Sequence, residues 1–234
     1  MRRRQFLHNG LLPGITELFP AIKPQKSIRR RRVKNLTYES FADIFEVVEK
    51  GTPDDVRYFV KQEGNDVVYT CNKDYKIPLD LAVELDKIEV VRFLISVMMT
   101  DDFWSYIDWT GGDGKTPLHR AVELGNIKII KFLVSKWADV DMRDEEGKTP
   151  FHLAVELGKI KVVKCLVSNG ADFEAKDRDG LTPLHLAVLG RYDDIINVLV
   201  SAGANICVTK ELFEWSMRND NMAVIDWFVN PLWL

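Results

Sequence analysis

Apolar positions in this chain come in short bursts set at helical spacing. Ile160, Val163, Leu166 and Val167 fall on one face of a helix. Ahead of them Pro150–Leu157 predicts a shorter helix that Gly158 ends. Gly170, just past the second burst, suits a left-handed C-terminal cap. Thr149 stands where an N-cap is needed, and Pro150 takes the first helical position, where a missing N–H costs nothing. The unit is therefore loop, helix, turn, helix. Helices this short are not stable alone in water, so they must be held by neighbours.

The unit repeats. Thr116-Pro117-Leu118-His119 returns as Thr149-Pro150-Phe151-His152 and as Thr182-Pro183-Leu184-His185, each step being 33 residues. Gly114, Gly147 and Gly180 precede the motif, and Ala121, Ala154 and Ala187 follow it. Weaker copies extend the array. Ile77-Pro78-Leu79-Asp80 precedes the apolar run Ile88 to Ile95; Val47-Val48 and Val56 to Val60 fit the same template. Downstream, Met222 to Val229 aligns with Ile160 to Val167.

At these residues the chain resembles the ankyrin-repeat family, whose period is 33 residues and whose signature is Thr-Pro-Leu-His-x-Ala. The resemblance implies an all-α solenoid of about six helix-turn-helix units with β-hairpin loops. The repeats are expected near 38–70, 71–108, 109–143, 144–176 and 177–209, with a C-terminal cap at 210–230; residues 1–37 are expected to be a basic, disordered arm. Arrays of this kind are stabilised by stacking between neighbours. The resemblance also implies a protein–protein interaction module and a scaffold without catalysis. Its partner would sit in a concave groove lined by the first helix of each unit and on the loop tips.

Several departures from the pattern carry expectations. Glu84, Glu123 and Glu156 occupy one repeat position, with Glu49 before them and Leu189 after. Two readings fit: a solvated face copied by duplication, or an acidic groove for a cationic partner. Leu124 and Leu157 follow two of these glutamates and are candidate contacts. So are the loop-tip residues Lys115, Glu145, Glu146, Lys148, Arg178, Asp179 and Leu181. The step from Ala82 to Ala121 is 39 residues, so six are inserted, and Phe103 and Trp104 fall in the insertion. They are candidate anchors or a cover for the preceding helix; Ile107 and Trp109 take loop positions expected to be partly buried. Trp137 stands where other copies have glycine, a position that strains any side chain if the backbone is left-handed. Ile77 and Asp80 replace the Thr and His of the motif, which predicts a weak point between the second and third units.

Charge divides the chain. Residues 1–34 hold ten Lys and Arg against Glu17 alone, while the other 200 residues hold 22 bases and 34 acids. The run Arg29-Arg30-Arg31-Arg32-Val33-Lys34 opens an alternative function: nucleic-acid or anionic membrane-surface association through the arm, with the repeats as carrier. No run of 18 or more apolar residues occurs. The three cysteines, Cys71, Cys165 and Cys207, are odd in number and widely spaced, which fits reduced thiols and a cytoplasmic or, through the arginine run, nuclear protein. Arg3-Arg4-Gln5-Phe6-Leu7 resembles a twin-arginine export signal, but Pro13, Gly14, Glu17 and Pro20 interrupt what should follow.

No phosphate loop, Cys-x-x-Cys or nucleophile motif is present. His119, His152 and His185 share one repeat position. Copies about 10 Å apart are too far to share a zinc ion, so they are expected to be structural. The expectation is a monomer with no metal, cofactor or small-molecule substrate.

Overall fold

The computed structural model describes residues 41–99 and 104–204, together with the helical positions 213, 214 and 217. Among them are ten α-helices in five pairs: α1 Ile44–Lys50 and α2 Pro53–Glu63; α3 Pro78–Glu84 and α4 Ile88–Met98; α5 Pro117–Leu124 and α6 Ile127–Ser135; α7 Pro150–Glu156 and α8 Ile160–Ser168; α9 Pro183–Leu189 and α10 Asp193–Ser201. The sixth unit expected from the sequence lies largely outside the described residues. First helices pack on first helices and second on second, from α1 to α10. One continuous core results, with Val47, Leu79, Leu118, Phe151 and Leu184 from the first helices and Val56, Leu94, Leu133, Leu166 and Leu199 from the second.

No strand is found among the described residues, which corrects the expected β-hairpins. Each loop is a turn closed by two backbone hydrogen bonds, one being Asn72 N–H to Lys76 O at 2.9 Å, Gly111 to Lys115 at 3.2 Å, Asp144 to Lys148 at 2.9 Å and Asp177 to Leu181 at 2.9 Å, the other a tighter bond inside it such as Gly147 N–H to Asp144 O at 3.0 Å. Side-chain acceptors do the rest. Asp144 Oδ1 takes the N–H groups of Glu146 and Lys148, and Asp177 Oδ1 those of Asp179 and Leu181. Such Asx-type bonds satisfy the backbone of the turn locally.

The Thr-x-x-His pattern builds each first-helix start. Thr116, Thr149 and Thr182 receive the N–H of His119, His152 and His185 on Oγ1, and each imidazole Nδ1 accepts the threonine N–H at 3.2, 3.2 and 2.9 Å. An accepting Nδ1 puts the proton of the neutral ring on Nε2. From there His119 donates to Lys148 O at 3.1 Å and His152 to Leu181 O at 3.2 Å, both in the next unit. Burial pushes the His119 and His152 pKa values down, which keeps both rings neutral. The same reciprocal cap is made at the start of α2 by Thr52 and Asp55, where Thr52 N–H reaches Asp55 Oδ2 at 2.8 Å.

The insertion ends in a 3-10 helix, Trp104–Asp108. Ile107 is buried and Trp109 half-buried, as expected from their register. Tyr106 stacks on Trp109 with centroids 5.4 Å apart and meets Tyr69 at 4.7 Å. Trp109 Nε1 donates to Tyr75 O at 2.9 Å, so the aromatics tie two successive loops together. Phe103 and the side chain of Trp104 lie outside the described residues.

Candidate functional site

The first helices and the loops ahead of them present a periodic set of side chains. In each of three units a lysine six residues before the motif alanine meets a glutamate two residues after it. Lys76 Nζ lies 2.7 Å from Glu84 and Lys148 Nζ 2.9 Å from Glu156, and Lys115 is hydrogen-bonded to Glu123. Lys148 also holds Glu146 at 2.8 Å. Desolvation lowers the Lys148 pKa, but its bonds to Glu146 and Glu156 outweigh this and raise it; the Glu123 bond raises that of Lys115. Three of the glutamates expected to line an acidic groove, Glu84, Glu123 and Glu156, are thus each paired with a lysine from their own loop. The row is a ladder of ion pairs. In the fifth pair of helices the same two positions hold Leu181 and Leu189.

Leu181 is buried, and its carbonyl is the acceptor for His152, so it belongs to the packing and not to a loop-tip surface. Glu145, Glu146, Arg178 and Asp179 are exposed, and Lys115 and Lys148 are half-buried. Arg178 N–H donates to Glu146 O at 3.1 Å, so adjacent tips touch. Leu124 and Leu157 stand out from the ends of their helices at 49% and 47% exposure, with Leu85 at the same repeat position at 40%. These values far exceed those of the core leucines, and they make a spaced apolar row beside the ion pairs.

The junction between the second and third units departs from the rest. Asp80 sits in the histidine position and is fully buried; Arg120 sits where other units have leucine and is almost as deep. Arg120 Nε lies 3.4 Å from Asp80, Nη1 2.9 Å from Glu84 and Nη2 2.9 Å from Asp113. Asp80 Oδ2 accepts the Ile77 N–H at 3.0 Å, supplying half of the missing cap. Gly111 stands where two other units have aspartate, because a Cβ there would come within 2.7 Å of Arg120 Nη2. Asp113, two residues on, supplies the carboxylate instead. Burial pushes the Asp80 pKa up to about 6 despite the Ile77 N–H and Arg120, whereas for Asp113 the Lys115 N–H and Arg120 overcome burial and hold it down. At the junction expected to be weak, a charged network joins the two units. Its signal in the sequence was that Asp80, Gly111 and Arg120 break the repeat together.

A further periodic contact was also missed. The residue five places after the motif alanine reaches back to the preceding unit. Lys87 Nζ donates to the carbonyls of Val48, Glu49 and Gly51 at 2.8, 2.9 and 3.1 Å. Lys159 donates to Glu123 O, and Tyr192 Oη to Glu156 O at 3.3 Å. Cations and hydroxyls at a helix C-terminus satisfy its open carbonyls.

No group of His, Cys, Asp and Glu among the described residues could hold a metal ion, and no helix among them is long and apolar enough to cross a membrane. The basic arm lies outside the described residues. A family model described as ankyrin repeats (3 copies) matches residues 44–144 and 136–210. No curated protein matches the chain.

Proposed function

Because the chain belongs to the ankyrin-repeat family, whose arrays are generally protein–protein interaction modules, we propose that it binds a partner protein across the ends of its first helices and its loop tips. The reading rests on one observation: Leu85, Leu124 and Leu157 are held out of the core at the same repeat position, next to lysine–glutamate pairs. Exposed leucines on a rigid frame offer contact area with little ordering cost on this side. Charged pairs beside them reject partners that leave the charges desolvated and unmatched, and so give selectivity more than affinity. With Glu84, Glu123 and Glu156 already paired, the partner surface is read as mixed in charge with apolar side chains at its centre, not as broadly cationic. Phe103 and Trp104 remain candidates for the same partner. The proposed role is binding without catalysis, by a monomer, in the cytoplasm or nucleus.

A photo-crosslinking residue placed at Leu124 or at Leu157 tests this. The expected result is one partner crosslinked from both positions and competed away by excess wild-type protein but not by Leu124→Asp/Leu157→Asp. Crosslinks that form as well from Ser168, on a second helix, or competition that survives the double substitution, would overturn the reading.

A further inference from the structure

The second helices of the third and fourth units carry a feature that partner binding through the first helices does not use. Lys128 and Lys131 on α6, and Lys161 and Lys164 on α8, are all exposed. Neither helix contains a carboxylate. None of the four lysines takes part in any of the ion pairs found among the described residues. This contrasts with Lys76, Lys115 and Lys148, each of which has a glutamate. Lysines three apart on a helix have Cβ atoms about 5–6 Å apart, and packed helices lie about 10 Å apart. The four charges therefore crowd within roughly one Debye length and their fields add.

The patch has edges. At the repeat positions of Lys128 and Lys131, α4 has Glu89 and Arg92 and α10 has Asp194 and Asn197. Two adjacent units alone carry the double lysine, on a body that is otherwise rich in acid. A second observation concerns the loop that follows α6. Trp137, two residues past the end of α6, is 80% exposed and is held at φ +71°. The equivalent positions in the next two units are Gly170 and Gly203. A left-handed backbone is costly for a bulky residue, and here the ring is kept in solvent and not used in the core.

We propose that the α6–α8 face, with Trp137 just past the end of α6, docks on an anionic lipid bilayer. Ammonium groups on flexible stems are attracted to an anionic leaflet without needing a shaped site. An indole with an apolar body and a polar N–H settles at the headgroup boundary. A single strand of nucleic acid would call for several aromatic rings open to stack on the bases; the aromatic ring of α6, Phe132, is half-buried with Arg92 4.6 Å and Lys136 5.8 Å from its centroid, and α8 has none. Docking through second helices leaves Leu124 and Leu157 available, so this surface stands or falls apart from the partner-binding one.

The test uses the full chain and sedimentation with phosphatidylcholine vesicles made with and without phosphatidylserine. Wild type is expected to bind only the vesicles with phosphatidylserine. Lys128→Gln/Lys131→Gln/Lys161→Gln/Lys164→Gln is expected to weaken binding by roughly six-hundredfold, since each basic residue near such a surface contributes about fivefold. Its thermal midpoint should match wild type, as the lysines are exposed; if it folds poorly, Lys131→Gln/Lys164→Gln serves with a loss of about thirtyfold. Brominated lipid should quench wild-type fluorescence more than that of Trp137→Phe. Three results overturn the proposal: no preference for phosphatidylserine, wild-type affinity in the lysine variants with loss only on Arg29–Arg32→Gln, or tight binding to duplex DNA with no binding to vesicles.

Discussion

Asp80 and Arg120 meet across a unit boundary as a buried pair, Nε to Oδ1 at 3.4 Å, each at a position where the regular repeat has an uncharged residue. Either substitution alone would leave a charge in the core. Together, with Gly111 giving room and Glu84 and Asp113 taking the other guanidinium donors, the network is satisfied.

Removing one partner should therefore be severe and restoring the pattern mild. Arg120→Leu is expected to destabilise by about 3 kcal/mol, because Asp80 loses its counter-ion and must be buried either as an unpaired charge or after taking up a proton. Asp80→His/Arg120→Leu should recover most of that, since a histidine Nδ1 can accept the Ile77 N–H as in the other units. Urea unfolding of the single and double variants checks the coupling. A double variant no more stable than the sum of the two single losses would refute the relationship.

Asp108 makes a pH-dependent prediction. Its Oδ1 accepts the Asp139 N–H at 2.9 Å, but burial, and the nearby Asp139 carboxylate, push its pKa up to about 6. The folded pKa lies above the ordinary value of 3.8, so the native state takes up the proton first as pH falls. The charged form costs stability above about pH 6, and that cost fades toward pH 4. Asp108→Asn keeps an acceptor and removes the charge. It should stabilise the fold by about 1 kcal/mol at neutral pH, less than the full shift because water reaches the carboxylate, and by little at pH 4. Unfolding curves at the two pH values decide it; a gain that grows on acidification would contradict the argument.

Trp137 gives the simplest stability test. At φ +71° and 80% exposed, it carries backbone strain and returns little burial. Trp137→Gly should raise stability by about 1 kcal/mol, read as a higher unfolding midpoint. A lower midpoint would mean that the ring makes a contact worth more than the strain.

What the sequence disclosed depended on whether the information was local. Thr149, Pro150 and His152 sit within one turn, and their spacing announced the cap and the helix start. The left-handed backbone at Trp137 was legible because Gly170 and Gly203 mark the same place. Side chains that act across units were harder to read. Glu123 and Glu156 looked like free acids because Lys115 and Lys148 lie eight residues back, on the other side of the cap, where helical periodicity does not reach. Leu181 looked like a tip residue for the same reason: its register matches those lysines. The pairing of Asp80 with Arg120 spans 40 residues and a unit boundary, and only their joint departure from the repeat hinted at it. Loop strands were expected on family grounds; the described loops are turns without strands, and in two of them Asp144 and Asp177 accept the turn N–H groups.

Lys87 carries the last prediction. Its ammonium, at the start of α4, closes three carbonyls at the end of α1, those of Val48, Glu49 and Gly51. A helix of seven residues has almost no internal hydrogen bonds to spare, so α1 relies on contacts supplied by its neighbour. Lys87→Met keeps the aliphatic stem and removes the donors. The loss should be about 1–2 kcal/mol, the range for hydrogen bonds from a charged group, and it should be local. Amide exchange in α1 is expected to quicken while α7 and α8 keep wild-type protection, since in a stacked array each unit senses its neighbours first. Faster exchange spread evenly over the array would mean that the units unfold as one block, and that Lys87 contributes only to global stability.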